Sequence, residues 1–321
     1  MKLTQDTIAA LATPLGTAAL AVVRVSGAEV ARLVREIFRA TPLPRTARHA
    51  DYHDVAGGLL DDVVYTYYKG PQSYTGEDAL EISCHGNPFI AQKIMEDLFA
   101  RGCRPAEPGE FTKRAFLNNR MDLSQSEAVM DIIHARSERA LAVAQQQLRG
   151  ALGRRLGSLV DEVLDALALI EAYIDFPEED LPGEDRGRME TALQHVLRGT
   201  NQILATSHYG ELLREGIKTI ILGEPNVGKS SLLNRLVGQE RAIVSAEPGT
   251  TRDFIEERLL VGAHCLRLID TAGLNRAPQP LERLGMVKTL ECAAEADLFL
   301  IVLELPHPAL TLAEDVRLRL N

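Results

Sequence analysis

Residues 223–231 read GEPNVGKSS and fit the phosphate-binding pattern G-x-x-x-x-G-K-[ST]. In such a loop, backbone N–H groups surround the phosphates, the lysine reaches the β- and γ-phosphates, and the serine hydroxyl ligates Mg²⁺. Lys229 and Ser230 hold these two positions. The apolar run IKTIIL precedes the loop and SSLLNRLVG follows it with helical spacing, which is the strand–loop–helix context that the pattern requires. The sequence therefore predicts a site for a nucleoside triphosphate.

Two further stretches follow in the order expected of a GTPase switch. GTTRD, at residues 249–253, lies where a GTPase places a threonine that closes onto Mg²⁺ and the γ-phosphate, and we assign this role to Thr251. DTAG follows an apolar strand; its Asp270 can hold Mg²⁺ through water, and the N–H of Gly273 can contact the γ-phosphate. The ordered set predicts a GTPase origin for this part of the chain.

The residue after DTAG is Leu274, where many small GTPases have a glutamine that orients water. Leucine cannot do so, and Glu282 is a polar candidate nearby; the alternative is a solvated carboxylate on a helix face. Asn226 also admits two interpretations. Its amide oxygen could ligate a monovalent cation beside the phosphates, or it could stabilise the loop through an Asx-turn.

Composition limits the classes of protein to consider. The chain has 321 residues, of which 45% are hydrophobic, and this length allows two or three domains. The net charge is −10 and Trp is absent, so a general basic surface or a stacking platform for nucleic acid is not expected. Any contact with RNA would be local or shared with a partner.

The four cysteines and the N-terminus favour a cytoplasmic protein. Cys84, Cys103, Cys265 and Cys292 form no C-x-x-C pair, and we expect reduced, mostly buried thiols and no disulfide or zinc site. The apolar run AALAVV near the N-terminus is too short to span a bilayer, and its flanks do not resemble a signal peptide. No membrane association is predicted.

The pattern of apolar residues divides the chain into three blocks. Residues 1–118 mix strands (AALAVVRVSG, VVYTYY, ALEIS) with helices (AEVARLVREIF, PFIAQKIMEDLFARG) and predict an α+β domain. Residues 119–213 lack strand patterns: SQSE at 124–127 is a capping-box pattern, and LGSLVDEVLDALALIEAYID predicts a helix of about 18 to 20 residues with one apolar stripe. This block should form a helical bundle. Residues 214–321 alternate strands and helices and predict an α/β domain with a parallel sheet.

These motifs together resemble the MnmE (TrmE) family of tRNA-modification GTPases. The resemblance covers essentially the whole chain. It extends to the stretches RVSG, SYTGED, EISCHG, PGEFTKRAFLNNRMDL, IEAYIDFPEEDLP and LLREGIKTIILGEPNVGKSSLLNRL. The fold class implied is a multidomain α/β protein with an N-terminal α+β folate-binding domain, a central helical bundle and a P-loop GTPase domain.

For the N-terminal block, the resemblance implies a folate site and a homodimer. The family's contacts to formyl-tetrahydrofolate correspond to Arg24, Glu81 and Arg120. A ligand with a glutamate tail and a pterin ring suits arginine and glutamate as partners. From the residues alone, each of the three would be assigned to the surface or to a helix cap.

For the GTPase block, the resemblance implies activation by K⁺. Asn226 would ligate K⁺ together with Ser245, Glu247 and Thr250, and Mg²⁺ would be held by Ser230 and Thr251. Glu282 matches the family's water-orienting carboxylate, so the catalytic residues would be Lys229 and Glu282. The nucleotide-binding residues implied are Asn226, Val227, Gly228, Lys229, Ser230, Ser231, Ser245, Ala246, Glu247, Pro248, Gly249, Thr250, Thr251, Asp270, Thr271, Ala272 and Gly273.

The partners implied are GTP, the flavoprotein MnmG and tRNA. Paired GTPase domains would dimerise on binding GTP and K⁺, and this motion would drive modification of the wobble uridine at C5 with MnmG. The carbon would come from 5-formyltetrahydrofolate or a related folate. The cofactors expected are therefore Mg²⁺, K⁺ and a folate.

The chain also departs from the family pattern. The guanine-reading N-K-x-D motif, its S-A-[KR] partner and a C-terminal Cys-x-Gly-Lys motif do not occur before Asn321. We therefore expect an incomplete GTPase domain, from a truncated gene product or a fragment. An unfinished parallel sheet would expose an edge and an apolar face.

Three functions remain open from the sequence. The first is a GTP-hydrolysing tRNA-modification factor. The second is a folate-binding dimer whose nucleotide domain is inactive, and the third is a switch that binds nucleotide and recruits a partner without chemistry. His85 and His134 have no obvious Ser or Asp partner in sequence, and we expect structural roles for both.

Overall fold

The computed structural model describes residues 6–175, 184–222, 227–239, 256–269 and 296–304. The chain divides into two compact units, Met1–Ser126 and Glu127–Asn321. Each unit contains its own sheet.

The first unit is a six-stranded sheet with three helices. Its strands follow the spatial order β3-β4-β5-β2-β1-β6; neighbouring pairs are antiparallel except β1 and β6, which run parallel. The strands are β1 (Ile8–Leu11), β2 (Leu20–Ser26), β3 (Ala47–His53), β4 (Leu59–Tyr68), β5 (Ala79–His85) and β6 (Arg104–Pro105). The helices are α1 (Val30–Phe38), α2 (Pro88–Ala100) and α3 (Glu110–Leu117). The predicted α+β architecture is confirmed.

One hydrophobic core joins this sheet to α1 and α2. In β5, Leu80, Ile82 and Cys84 are buried in the same cluster as residues of both helices. Because side chains alternate between the two faces of a strand, Glu81 of β5 lies on the face opposite this core. Arg24 lies directly opposite Glu81 in the pairing of β2 with β5. The core packing therefore places this charged pair on the other face of the sheet.

The helix patterns of the first unit are confirmed in detail. The predicted face of α1, made by Val30, Leu33, Val34 and Ile37, is fully buried. Helix α2 begins where the Asn87 side chain accepts a hydrogen bond from the N–H of Phe89, as an N-cap should.

The described part of the second unit consists of helices followed in sequence by a four-stranded sheet. Helix α4 (Leu123–His134) begins at the end of the first unit. The other elements are α5 (Glu138–Leu148), α6 (Ala151–Asp175), α7 (Glu184–Ala205), α8 (Ser207–Glu215), β7 (Ile217–Leu222), α9 (Lys229–Gln239), β8 (Glu256–Val261), β9 (His264–Ile269) and β10 (Leu298–Ile301).

The start of α4 corrects the predicted capping box. The N–H of Gln125 donates to Asp122 Oδ1 at 2.8 Å, and the N–H of Asp122 donates to Gln125 Oε1 at 2.9 Å. The reciprocal pair is therefore Asp122 and Gln125, two residues earlier than the Ser124–Glu127 pair that we predicted. The reason is that the helix already begins at Leu123, so Asp122 precedes it and reaches the orphan N–H groups of the first turn.

Helices α6 and α7 pack closely. A Cβ on Gly199 of α7 would lie 2.8 Å from Leu159 Cδ2, so the glycine permits the approach. His195 Nδ1 lies 2.6 Å from Glu162 Oε2 across the same pair of helices. Helix α6 has 25 residues and is longer than predicted. Its apolar stripe is only partly covered by the described residues, since Leu159 is 5% exposed but Leu164 is 54% exposed.

The four-stranded sheet has the order β10-β7-β9-β8. Strands β10, β7 and β9 are parallel, and β8 is antiparallel to β9. Apolar side chains cover both faces of β7: Ile220 packs on one side and Ile221 on the other, the latter with Leu233 of α9. The predicted α/β order with a parallel sheet is confirmed for this part of the chain.

Candidate functional site

Arg24 and Glu81 form an ion pair across neighbouring strands. Arg24 Nε and Nη2 donate to the same oxygen, Glu81 Oε1, at 3.0 and 2.7 Å. Both side chains are 33% exposed. The pair is therefore accessible from solvent and could exchange its internal bonds for bonds to a charged ligand. The structure brings together two of the three residues assigned to folate.

Aromatic side chains surround this pair, and the sequence analysis did not assign them to the site. The ring centres of Tyr74 and Phe111 lie 5.5 and 5.9 Å from Arg24 Cζ, within cation–π range. The Tyr68 hydroxyl is 3.4 Å from Glu81 Oε2. Burial and the charge of Glu81 raise the pKa of Tyr68 above its ordinary value. The repeated aromatics in VVYTYY, with Tyr68 on the Glu81 face of β4, were a possible signal in the sequence.

Arg120 lies beside Gly76, in the segment that also carries Tyr74. A Cβ built on Gly76 would meet Arg120 Cγ at 3.2 Å, and Gly76 has φ +80°. Gly76 and Tyr74 belong to one connection, residues 73–78, which leads into β5. Arg120 and Arg24 thus both border residues 73–78. The assignment of Arg24, Glu81 and Arg120 to folate remains a prediction.

The nucleotide loop has the expected placement. Strand β7 ends at Leu222 and helix α9 begins at Lys229, so the loop leaves the carboxyl end of a parallel strand, where α/β sheets bind ligands. Gly228 has φ +99°, a left-handed conformation that favours glycine. Lys229 is buried at 9% exposure. Ser230 and Ser231 lie in the first turn of α9, whose N-terminus favours anions.

Many of the other assigned residues lie outside the described residues. They are Asn226, Ser245, Ala246, Glu247, Pro248, Gly249, Thr250, Thr251, Asp270, Thr271, Ala272, Gly273 and Glu282. Their roles remain predictions.

A cavity of about 370 Å³ lies at the opposite end of the same sheet. Its walls come from the end of α8 and from the amino ends of β7 and β10. Because open α/β sheets bind ligands at the carboxyl ends of their strands, we do not assign the nucleotide to this cavity. The lining residues are Glu211, Leu212, Glu215, Gly216, Lys218, Arg267 and Asp297.

His85 has a partner that the sequence did not suggest. Its Nδ1 lies 2.8 Å from Asp61 Oδ1, and its backbone N–H donates to Asp61 Oδ2. The hydrogen bond to Asp61 and the charge of that carboxylate raise the pKa of His85. The two residues are 24 positions apart in sequence and meet only because the sheet pairs β4 with β5.

The remaining expectations concern thiols, metals and membranes. Cys84, Cys103 and Cys265 are buried thiols outside any disulfide, and burial raises the pKa of Cys103 to about 11. Within the described ranges, no group of three His, Cys, Asp or Glu side chains could hold a metal ion. No helix in that part of the chain is long and apolar enough to cross a membrane. Cys292 lies outside it.

An α+β unit is followed in sequence by helices and a mainly parallel sheet, and the P-loop sequence motif lies between β7 and α9. This order defines a multidomain P-loop protein. Two family models match: "GTP-binding protein TrmE N-terminus" over residues 7–120 and "MnmE helical domain" over residues 123–306. The chain belongs to the MnmE family of tRNA modification GTPases, as the sequence motifs indicated.

Individual relatives agree with this assignment. The protein named tRNA modification GTPase MnmE from Opitutus terrae is 60% identical over 99% of this chain and 70% of its own length. The proteins of the same name from Chlorobium chlorochromatii and Moorella thermoacetica are 45% and 46% identical, over 94% of this chain and 66% of their own lengths. The chain thus spans about two thirds of the length of these curated relatives.

A solved structure, the G domain of the T. maritima FeoB iron transporter, is 28% identical over 32% of this chain and 62% of its own. Its TM-score is 0.21, which is too low to support an argument from the superposition.

Proposed function

We propose that this chain is a K⁺-activated GTP hydrolase that acts with MnmG to modify the wobble uridine of tRNA at C5, using a formyl-tetrahydrofolate-type carbon donor. The observation that carries the proposal is the 60% identity, over 99% of the chain, to a relative named tRNA modification GTPase MnmE. The P-loop geometry and the accessible Arg24–Glu81 pair support it independently.

The residues at the start of α9 suit a triphosphate. Gly228 adopts a backbone conformation that turns N–H groups inward in phosphate loops, and Lys229 supplies a point charge at the helix N-terminus. Ser230 and Thr251 would hold Mg²⁺, and Asn226, Ser245, Glu247 and Thr250 would hold K⁺. When bound, these cations would stabilise the negative charge that develops on the phosphate oxygens during hydrolysis.

Glu282 would orient the attacking water. This role rests on the family resemblance, and it is consistent with Leu274, which has no hydrogen-bonding group and cannot replace the usual glutamine. Lys229 would hold the β- and γ-phosphates in position. Asp270 and Gly273 would border the γ-phosphate side of the site.

The outer face of the first sheet would bind the folate. Arg24 offers N–H donors to a carboxylate or carbonyl, and Glu81 accepts from ring or amino N–H groups. Arg120, which lies beside Gly76, would contribute a second positive charge. Tyr74 and Phe111 give this face apolar surface for a ring system.

We assign these activities to three domains: residues 1–118 for folate binding and dimerisation, residues 119–213 for the helical bundle, and residues 214–321 for GTP. A homodimer, MnmG and tRNA would be the partners. Free buried cysteines suit a reducing compartment, so we place the protein in the cytoplasm.

Reconstitution tests the proposal. The chain is incubated with MnmG, unmodified tRNA, 5-formyltetrahydrofolate, GTP, Mg²⁺ and K⁺, and the wobble nucleoside is measured by mass spectrometry. We expect a C5-modified uridine that disappears when Lys229→Ala replaces the wild-type chain. The Opitutus terrae relative serves as the positive control. Unmodified tRNA, in a mixture where the chain hydrolyses GTP and the control succeeds, would contradict the proposal.

A further inference from the structure

The Arg24–Glu81 site is assembled from segments that are far apart in sequence. Arg24 comes from β2, Tyr74 from residues 73–78 and Phe111 from α3. The Tyr74 hydroxyl also lies 2.9 Å from Thr112 Oγ1, which ties residues 73–78 to α3 at the surface. The site therefore depends on how these three segments are held together.

A buried arginine on α3 pairs with a residue of the 73–78 segment. Arg114 is 4% exposed, and its Nη1 donates to Glu77 Oε2 at 3.0 Å. Its Nη2 pairs with Glu110 Oε1 at 3.0 Å and with Asp6 Oδ1 at 2.9 Å. Since a guanidinium presents its donors in a rigid fork, these bonds fix α3 relative to residues 73–78.

Glu77 extends this network into β2. The same oxygen, Glu77 Oε2, accepts from Ser26 Oγ at 2.8 Å. Ser26 Oγ lies 2.6 Å from Thr75 Oγ1. Because the single hydroxyl proton of Ser26 goes to the carboxylate, Thr75 is the donor in that contact. Ser26 is 0% exposed and Thr75 is 1% exposed, so water does not replace these bonds.

The network ends beside the site residues. Thr75 is next to Tyr74 in sequence, and Ser26 lies two residues after Arg24 on the same strand. Asn118 Nδ2 donates to the carbonyl of Thr75 at 2.7 Å and holds the segment from its other side. A shift of Glu77 would therefore move Tyr74 relative to Arg24.

We propose that Arg114 is a positioning residue of the Arg24–Glu81 site: by holding Glu77, it fixes residues 73–78 so that Tyr74 stays beside Arg24. Arg114 acts through Glu77 and Thr75 and does not itself touch the ligand. The identity of the ligand as a folate rests on the proposed function, whereas the geometry does not.

Two variants and a matched control test this role by calorimetric titration with 5-formyltetrahydrofolate. Glu77→Gln keeps the size of the side chain but removes the charge that holds Arg114. Arg114→Lys keeps the positive charge but cannot reach all three carboxylates. We expect each to weaken binding about tenfold, the size of effect typical of coupled polar networks. We expect the double variant, with both Glu77→Gln and Arg114→Lys, to bind folate as weakly as Arg114→Lys alone, because both changes disrupt the same contact between Arg114 and Glu77.

Arg104→Lys is the control for a merely structural effect. Arg104 shares Asp6 and Glu110 with Arg114, and its Nη2 lies 2.7 Å from Glu110 Oε1, yet its ion pairs do not include Glu77. We expect it to lower the melting temperature less than Arg114→Lys does, because the Arg104 side chain is 40% exposed, while folate affinity stays within about twofold of wild type. Equal losses of affinity in both arginine variants, or wild-type affinity in Glu77→Gln, would overturn the proposal.

A readout without ligand separates this inference from the proposed function. The chain is labelled with 3-fluorotyrosine, and the ¹⁹F signal of Tyr74 is assigned with Tyr74→Phe. We expect that signal to move toward the free amino acid in Glu77→Gln and Arg114→Lys but not in Arg104→Lys. If the wild type binds no folate, the proposed ligand is wrong, and the ¹⁹F signal still decides the positioning role. An unchanged ¹⁹F signal of Tyr74 in Glu77→Gln and Arg114→Lys would overturn the positioning role of Arg114.

Discussion

Arg24 Nη2 lies 2.7 Å from Glu81 Oε1, and the two residues face each other directly across β2 and β5. The pair sits on the sheet face opposite the hydrophobic core and next to the rings of Tyr74 and Phe111. An ion pair at this exposure contributes little to folding. We therefore predict that the pair serves ligand binding more than stability.

Arg24→Ala tests this explanation. We expect the affinity for 5-formyltetrahydrofolate to fall at least about tenfold, because charge-assisted hydrogen bonds to the ligand are lost. The free energy of unfolding should change by no more than about 1 kcal/mol, since the pair is half-exposed. Isothermal titration and urea denaturation measure the two quantities. Lys93→Ala removes an exposed ion pair with Glu96 on α2 and should leave folate affinity unchanged; unchanged affinity in Arg24→Ala would refute the assignment.

The carboxylate of Glu110 makes stability depend on pH. Hydrogen bonds from Arg104, from the N–H of Glu107 and from Arg114 hold the pKa of Glu110 at about 2, below its ordinary 4.5. A carboxylate with a lowered pKa stabilises the fold above its unfolded pKa and loses that contribution as pH falls through the folded value. We expect a loss of roughly 3 kcal/mol between pH 5 and pH 2 from this group. In urea denaturation between pH 5 and pH 2, the free energy of unfolding of Glu110→Gln should depend less on pH than that of the wild type. An equal dependence in the two proteins would contradict this role of Glu110.

The stability contributed by the pair of His85 and Asp61 should depend on pH in the direction opposite to that of Glu110. The hydrogen bond between His85 and Asp61 and the negative charge of Asp61 raise the pKa of His85 above its ordinary value of 6.5. The stabilisation is therefore present below pH 6.5 and disappears as pH rises through the folded pKa. Asp61→Asn should bring the pKa of His85, followed by NMR of its ring protons, back toward the ordinary value. The variant should also cost more stability at pH 5.5 than at pH 8.5; a pH-independent cost would show that the pair does not carry this charge.

Lys229 should decide nucleotide binding. We expect Lys229→Ala to weaken GTP binding about a hundredfold or more, because the loop loses its point charge to the phosphates. Fluorescence of a labelled GTP analogue measures the affinity. Lys218→Ala, at the amino end of the same strand β7, provides a control with the same chemical change. Similar affinity in the two variants would mean that residues 223–231 do not bind the triphosphate.

The sequence predicted those features that depend on local periodicity. The period of two in ALEIS and the spacing of Val30, Leu33, Val34 and Ile37 correctly predicted β5 and α1. The same holds for the strand, loop and helix around Gly228, because this motif is continuous in sequence.

Features that depend on tertiary contacts were not predictable in this way. Asp61 and His85 meet because of strand register, and Arg114 reaches Glu77 across 37 positions of sequence. Local patterns carry no information on such pairs, so Arg114 could not be told apart from a surface arginine before its contacts were known. The shift of the capping pair to Asp122 and Gln125 shows that even a local motif is misplaced when the first helical residue is assigned wrongly.

Nucleotide hydrolysis by the chain tests directly whether it is a GTPase that potassium activates. Turnover of GTP and ATP is measured in potassium and in sodium buffer, for the wild type and for Glu282→Ala. We expect turnover that is selective for GTP and stimulated by potassium, and a slower rate with unchanged GTP binding in Glu282→Ala. Turnover that is equal in the two buffers or equal for the two nucleotides, or no turnover by folded protein, would contradict this expectation.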